Sequence, residues 1–140
     1  MKFTLLLFFS IFISQTGTAL AADPSICGPN ADVSRHANGK LKCCSNTSQK
    51  YVQDSLSCNA SSETCFFDNG QVSSCTVAGS YSAGPIVCGE SGFITFYTSG
   101  ALKSCTLKNP TVVNGRKCMG SQPVNLFEDG SLSSCTEQGF

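Results

Sequence analysis

The sequence has little charge and few of the side chains that most catalytic and metal sites require. Its 140 residues include 9 Lys and Arg, 9 Asp and Glu, one His and no Trp, and the formal net charge is +0. Without a basic run, we expect no nucleic-acid-binding surface. Without an acidic run, we expect no acidic disordered tail. The length allows one domain or a short array of repeats.

Motifs of common enzymes are missing as well. The sequence has no G-x-S-x-G, phosphate loop, EF-hand loop or H-E-x-x-H. His36 could be a catalytic base, but we favour a structural role, because the equivalent position is aromatic in the three other units of the repeated pattern described below. Glu128-Asp129 is interpreted as a solvated turn, and Cys43-Cys44 as structural rather than a redox pair. We therefore predict a non-enzymatic protein with no catalytic residues, cofactor or metal.

The long apolar run of the sequence lies at its N-terminus. Lys2 precedes the run Phe3–Ile13, and Ala19-Leu20-Ala21 has the small-x-small pattern of a cleavage site. The run is too short for a comfortable membrane span. We predict a signal peptide over residues 1–21 and a secreted or periplasmic protein, with no stable membrane insertion after cleavage.

Cysteine, by contrast, is abundant. All 10 cysteines follow the predicted signal peptide, and their even number in an exported chain predicts five disulfides. Zinc is the alternative, but the sequence has no C-x-x-C, and one His cannot complete several sites.

Four segments share the pattern C-x(11)-G-x-[LV]-x-x-C. Their glycines, at positions 39, 70, 100 and 130, are 31, 30 and 30 residues apart. We predict a single domain, residues 22–140, with units at about 27–46, 58–77, 88–107 and 118–137. Each glycine follows Asn, Ser or Asp, which favours a type I′ hairpin turn with positive φ at both central residues. The segments between units, such as 78–87 and 108–117, are predicted to be loops or short extra strands.

A two-residue turn would set the register of each hairpin. It would place Tyr97 opposite Leu102 and Thr95 opposite Ser104, and would likewise pair Phe67 with Val72 and Phe127 with Leu132. His36 holds the aromatic position in the first unit, facing Leu41. The resulting aromatic–aliphatic stripe is either a binding surface or core covered by the intervening segments. Its candidate binding residues are Phe67, Tyr97, Leu102, Phe127 and Leu132.

The frame also predicts the disulfide pairs, although sequence alone leaves the connectivity open. Pairing across units would strand Cys27 and Cys135 at opposite ends, so we favour pairs within units. If the hairpins form a continuous meander, the remaining Cys43 and Cys65 meet on neighbouring strands. The predicted pairs are Cys27–Cys44, Cys58–Cys75, Cys88–Cys105, Cys118–Cys135 and Cys43–Cys65. The predicted fold class is all-β: four disulfide-stapled hairpin repeats of about 30 residues, stacked as an elongated antiparallel meander sheet.

The run FYTSGALKS at residues 96–104 resembles the bacterial MORN-type repeat, whose hairpins follow F/Y-x-x-G-x-L-x, and in particular its exported, cysteine-containing variants. The resemblance covers all four units. It implies an elongated sheet used for binding or scaffolding, with an unknown protein or glycan as partner. The alternatives are a disulfide-rich secreted inhibitor or toxin-like effector with a specificity loop near Ser80–Pro85, and a small hydrolase or oxidoreductase using His36 or Cys43.

Overall fold

The structure is a computed structural model that describes residues 24–45, 51–53 and 55–139. The predicted signal peptide and Asn46, the last residue of the first unit, lie outside this range. The described residues form an all-β fold with a large antiparallel sheet and five disulfides, as the sequence predicts at that level. A search of the same residues for a helix with the length and hydropathy of a transmembrane span finds none.

A 3₁₀ turn at Pro24–Ile26 precedes the strands. The strands of the described residues are β1 (Val33–Arg35), β2 (Leu41–Cys44), β3 (Tyr51–Gln53), β4 (Leu56–Cys58), β5 (Thr64–Phe66), β6 (Val72–Thr76), β7 (Tyr81–Ala83), β8 (Ile86–Cys88), β9 (Phe93–Phe96), β10 (Leu102–Thr106), β11 (Thr111–Val113), β12 (Arg116–Cys118), β13 (Pro123–Leu126) and β14 (Leu132–Cys135). Eight of them form one sheet in the order β1-β2-β5-β6-β9-β10-β13-β14. The other six pair as three short hairpins, β3–β4, β7–β8 and β11–β12.

The core lies between one face of the large sheet and the short hairpins. Along β9 the side chains of Ile94 and Phe96 are buried, whereas those of Phe93 and Thr95 point to the opposite face, because side chains alternate along a strand. The short hairpins contribute buried apolar residues to the same core, namely Leu56, Ile86 and Val113. Each short hairpin therefore covers the inner face of the sheet and leaves the outer face to solvent.

The four main hairpins do not close with the predicted type I′ turn. In the third hairpin, Gly100 N–H donates to the Tyr97 carbonyl (2.9 Å) and Tyr97 N–H donates to the Ala101 carbonyl (2.8 Å), which encloses three loop residues. Gly100 has a φ of 87°, whereas Ser99 is not among the residues with positive φ. The same bonds recur in the other three hairpins. This is the three-residue loop with a glycine bulge, which needs positive φ only at glycine.

Because of the bulge, the observed register near each turn differs from the predicted one. Thr95 faces Ser104 and Ile94 faces Cys105, as predicted, but Leu102 faces Phe96 rather than Tyr97. The same correction applies in the other hairpins, where Arg35, Phe66 and Leu126 take the places predicted for His36, Phe67 and Phe127. The extra residue shifts the count by one and moves the predicted aromatic out of the ladder.

The intervening segments form short strands, the second of the two predicted possibilities. In β11–β12 the turn residues Asn114 and Gly115 both have positive φ, 49° and 80°, so the type I′ turn occurs here. In β7–β8 the turn is Gly84-Pro85, with positive φ at the glycine alone.

All five predicted disulfide pairs are present. Three of them join the second strand of a short hairpin to the sheet strand above it, as Cys88 of β8 joins Cys105 of β10. Their Cα–Cα distances of 5.6 to 5.7 Å are ordinary for disulfides. Cys43–Cys65 instead links β2 to β5 within the sheet, where the two residues face each other. Five disulfides fit an oxidising extracellular or periplasmic environment.

Candidate functional site

The predicted aromatic–aliphatic stripe is not a continuous exposed surface. Leu102 is 6% exposed and belongs to the core, and Phe67 and Leu132 are partly buried against it. Tyr97 is half-buried, and only Phe127, at 55%, is well exposed. Most of the stripe is therefore part of the packed interior, which is the second of the two predicted possibilities.

Two side chains at the aromatic position of the repeat connect neighbouring hairpins. We call His36, Phe67, Tyr97 and Phe127 the clasp position. The Nε2 atom of His36 donates to the Phe66 carbonyl (2.9 Å), and the Tyr97 hydroxyl donates to the Leu126 carbonyl (2.9 Å). In both cases the acceptor lies in the next hairpin, 30 or 29 residues later. The polar groups at this position thus act inside the fold and join one hairpin to the next.

The outer face of the sheet carries a row of small, mostly polar side chains. Each member lies opposite the next on the neighbouring strand, so the row crosses all eight strands of the sheet. We call this set the outer row, which consists of Ser34, Cys43, Cys65, Ser74, Thr95, Ser104, Asn125 and Ser134. Since adjacent strands are about 4.8 Å apart, the row presents polar groups at that spacing.

The outer row is organised by its own hydrogen bonds. Thr95 Oγ1 lies 2.6 Å from Ser104 Oγ, and Asn125 Nδ2 donates to Ser134 Oγ over 3.1 Å. These side chains are half-exposed or exposed. Six of the eight members therefore carry hydroxyl or amide groups that are partly accessible to a partner, and the other two are the cysteines of one disulfide.

An exposed aromatic residue lies beside this row. Phe93 is two residues before Thr95 on β9, which places it on the same outer face, and it is 56% exposed. A depression next to it is lined by Gly92, Thr106 and Lys108, among other residues. Phe93 therefore combines a large apolar contact area with neighbouring polar groups, which is the usual composition of a binding site.

The remaining candidates from the sequence are structural or peripheral. Sulfur and carboxylate atoms of Cys43, Cys65 and Glu63 lie within 4.8 Å of one another, but the two sulfurs are joined as a disulfide and are not thiolate ligands. Glu128 and Asp129 are exposed at the fourth hairpin turn.

Asp129 closes that turn through its side chain. Its Oδ1 accepts from the hydroxyl (2.6 Å) and the N–H (2.9 Å) of Ser131, and these bonds hold the pKa of Asp129 below its ordinary value. The side chain of Asn69 accepts from Gln71 N–H in the same way (3.0 Å). The residue before each turn glycine thus supplies a local acceptor, without needing a positive φ.

Sequence reasoning missed Phe93 and the outer row. The predicted pairing of Thr95 with Ser104 is confirmed, but the predicted binding residues are the aromatic and aliphatic residues nearest the turns. Strict alternation along β9 places Phe93 on the same face as Thr95, but only the structure shows that this face is the outer one.

Comparisons of the chain with protein-family models, with curated proteins and with solved structures find no match.

Proposed function

We propose that the chain is an exported, non-enzymatic repeat protein that binds a partner or serves as a scaffold through the outer face of its sheet. The observation that carries this proposal is the outer row, which crosses the sheet from Ser34 to Ser134 beside the exposed ring of Phe93. One face of the sheet is used for the core, whereas the other presents accessible polar groups and an aromatic ring.

The finer architecture in this proposal is four hairpin repeats stacked as an elongated meander. Its support is that contacts between successive hairpins recur with the 30-residue spacing. Val77 N–H donates to the Gly92 carbonyl (2.9 Å), and Leu107 N–H donates to the Gln122 carbonyl (3.0 Å). The resemblance to MORN-type repeats supports the same arrangement and a role in binding or scaffolding.

Export is supported by two separate features. Residues 1–21 have the composition of a signal peptide. The ten cysteines are all used in disulfides, which persist in oxidising compartments. Both features favour a secreted or periplasmic location.

The chemistry of the outer face favours a polar partner with extended shape, either a glycan or a protein surface. Hydroxyl and amide groups both donate and accept hydrogen bonds, so they suit a partner rich in hydroxyl or peptide groups. Phe93 adds an aromatic surface on which a sugar ring or an apolar side chain can pack.

The test compares two phenylalanines of nearly equal exposure. Phe93→Ser removes the aromatic ring from the outer face, whereas Phe127→Ser removes a ring of 55% exposure at the end of the sheet. Binding of the oxidised protein is measured on an array of purified glycans and, by cross-linking, in its native extracellular fraction. Loss of a partner with Phe93→Ser but not with Phe127→Ser supports the proposal, and equal retention by both variants contradicts it.

A second function, as a disulfide-rich inhibitor or toxin-like effector, has one favourable feature. Gly84 and Pro85 are exposed at the tip of the β7–β8 hairpin, which the Cys88–Cys105 disulfide anchors to the sheet. A rigid exposed tip is a suitable shape for entering a cleft. Stoichiometric inhibition in a panel of proteases, abolished by Pro85→Glu, would favour this function instead.

A further inference from the structure

We infer that the two ends of the sheet are complementary surfaces and that a second copy of this chain docks head to tail, with β14 of one copy pairing with β1 of the next. The four-unit frame supplies the equivalent residues that are compared at the two ends, and partner binding by the outer face is not required.

The C-terminal end exposes an apolar ring that is better covered at an internal junction. Phe67 and Phe127 hold the same clasp position in the second and fourth units. Phe67 is followed by another hairpin and is partly buried against the core. Among the described residues no hairpin comes after Phe127, which is 55% exposed. A further hairpin docked after the fourth unit would therefore cover the ring of Phe127.

The N-terminal end exposes the matching position. Val33 occupies the place in the frame that Thr64, Ile94 and Val124 occupy in the later units. These three residues are 0% exposed, whereas Val33 is 44% exposed. At each internal junction this position lies opposite a cysteine of the preceding strand, as Val124 lies opposite Cys105. In the described part of the chain β1 is the first strand of the sheet, so no described hairpin covers Val33 as one covers the equivalent residues of the later units.

Charge favours another copy of the chain as the occupant of these ends. Strands β1–β2 and their turn carry Arg35, Lys40 and Lys42 and no acidic residue, whereas β13–β14 and their turn carry Glu128 and Asp129 and no basic residue. All five side chains are exposed. Docking of the acidic last hairpin on the basic first hairpin therefore brings opposite charges together.

The two hairpins between them continue this alternation. The second hairpin has Asp68 as its charged residue, and the third has Lys103. Every internal junction consequently joins hairpins of opposite sign, and head-to-tail docking would repeat that arrangement.

The register of the internal junctions fits the free ends. At the third junction Ser104, Cys105 and Thr106 face Asn125, Val124 and Pro123. By the same spacing, Ser134 would face Ser34 and Cys135 would face Val33 of the next copy. Leu132 N–H donates to Asn114 Oδ1 (2.8 Å), but this residue corresponds to Leu102, which lies outside the junction pairs. Docking would also continue the outer row from one copy to the next.

The primary test is sedimentation velocity of the oxidised protein from micromolar to millimolar concentration. We expect association that weakens as salt rises from about 0.01 M to about 1 M, because the docked charges are exposed and screened. A protein that stays monomeric over the whole concentration range at low salt would overturn the inference, as would association that is indifferent to salt.

Two edge variants test the direction of docking. Phe127→Ser damages the C-terminal end and Arg35→Glu the N-terminal end, and each should weaken self-association by about tenfold or more. Phe93→Ser is the matched control, because its ring is equally exposed but lies on a central strand. Equal weakening by Phe93→Ser would show unspecific apolar contact and overturn the inference.

A mixture of the two edge variants gives the sharpest result. Arg35→Glu retains an intact C-terminal end, and Phe127→Ser retains an intact N-terminal end. Their mixture should form a one-to-one dimer at concentrations where each alone is monomeric. A symmetric interface would not be restored by mixing, so absence of this dimer, with wild-type protein associating under the same conditions, contradicts head-to-tail docking. Failure here leaves glycan or protein binding through Phe93 unaffected, which keeps the two proposals distinguishable.

Discussion

The third and fourth units, each taken with the short hairpin that precedes it, place different chemistry at equivalent positions. Ile86 and Leu107 are buried in the core, with exposures of 3% and 1%. Thirty residues later, Arg116 and Glu137 form an ion pair whose side chains are about half exposed. An interior unit thus buries an apolar pair where the last unit presents charged groups to solvent. The comparison shows that equivalent positions of one frame are apolar where they are buried and charged where they are exposed.

The largest expected effect comes from truncating Leu107, and the comparison is truncation of Glu137 at the equivalent position of the fourth unit. Leu107→Ala should lower the free energy of unfolding by about 2–5 kcal/mol, because it leaves a cavity in the core. Glu137→Ala should cost about 0–1 kcal/mol, because an exposed ion pair contributes little. Denaturant unfolding of the oxidised variants measures both. Equal losses would show that the last unit is packed like the interior ones.

The turn glycines should behave alike in both units, unlike the packed positions. Gly100 and Gly130 have φ of 87° and 85°, so substitution by alanine should cost about 1–2 kcal/mol at either site. Gly79→Ala is the control, since the new methyl group would have no atom within 4 Å and the residue does not have a positive φ. The interpretation of the bulge fails if Gly100→Ala is no more harmful than Gly79→Ala.

A buried hydroxyl offers a way to improve the packing of the second unit. Thr64 is fully buried, and its Oγ1 has no hydrogen-bond partner among the described residues, whereas Ile94 and Val124 fill the equivalent positions. Thr64→Val should raise the free energy of unfolding by about 1 kcal/mol, because the unpaired hydroxyl is costly to bury. Thr95→Val is the control, and it should lower stability because it removes the bond to Ser104. A loss with Thr64→Val would indicate that the hydroxyl is satisfied in solution.

At the clasp position the third hairpin has Tyr97 and the fourth has Phe127, so the two side chains differ by one hydroxyl group. Tyr97→Phe should cost about 1 kcal/mol, because it removes the hydrogen bond to the Leu126 carbonyl. The reverse change, Phe127→Tyr, should not alter the stability of the dilute monomer, because among the described residues no later hairpin offers a carbonyl. Thermal unfolding at low protein concentration compares the two. A gain with Phe127→Tyr under these conditions would show that a monomer supplies its own acceptor.

The smallest expected effect is a pH dependence confined to the fourth turn. Because the pKa of Asp129 is lowered in the folded state, the carboxylate contributes stability above its unfolded pKa, and this contribution is lost as pH falls through the folded pKa. Asp129→Asn retains the turn acceptor and removes the titration. As pH falls, the free energy of unfolding of wild type should therefore decrease relative to that of this variant. A difference that grows in favour of wild type as pH falls would contradict the assignment.

The cysteine frame and the hairpin positions could be predicted because each depends on local spacing. A glycine that can adopt a positive φ marks a turn, and the cysteines at fixed distances before and after it form a disulfide. The Cys43–Cys65 pair also followed from the frame, because it needed only the assumption that successive hairpins are neighbours. These features survive even though the turn type was wrong.

The turn type and the exposed surface could not be obtained in the same way. Asn-Gly is compatible with both a two-residue turn and a three-residue loop with a bulge, and the choice changes which aromatic residue joins the ladder. At Asn114-Gly115 the two-residue turn forms, whereas at Asn69-Gly70 it does not. The identical dipeptide therefore adopts different conformations according to the hairpin that contains it.

Sequence alone indicated where the chain turns and which disulfide pairs to favour, because backbone freedom at glycine and the reach of a disulfide act over short, countable distances. Only the tertiary structure decided which side of each strand is covered. That outcome depends on the short hairpins that pack on one face of the sheet. It assigns Leu102 to the core and Phe93 to solvent, although both are apolar residues on the strands of the same hairpin.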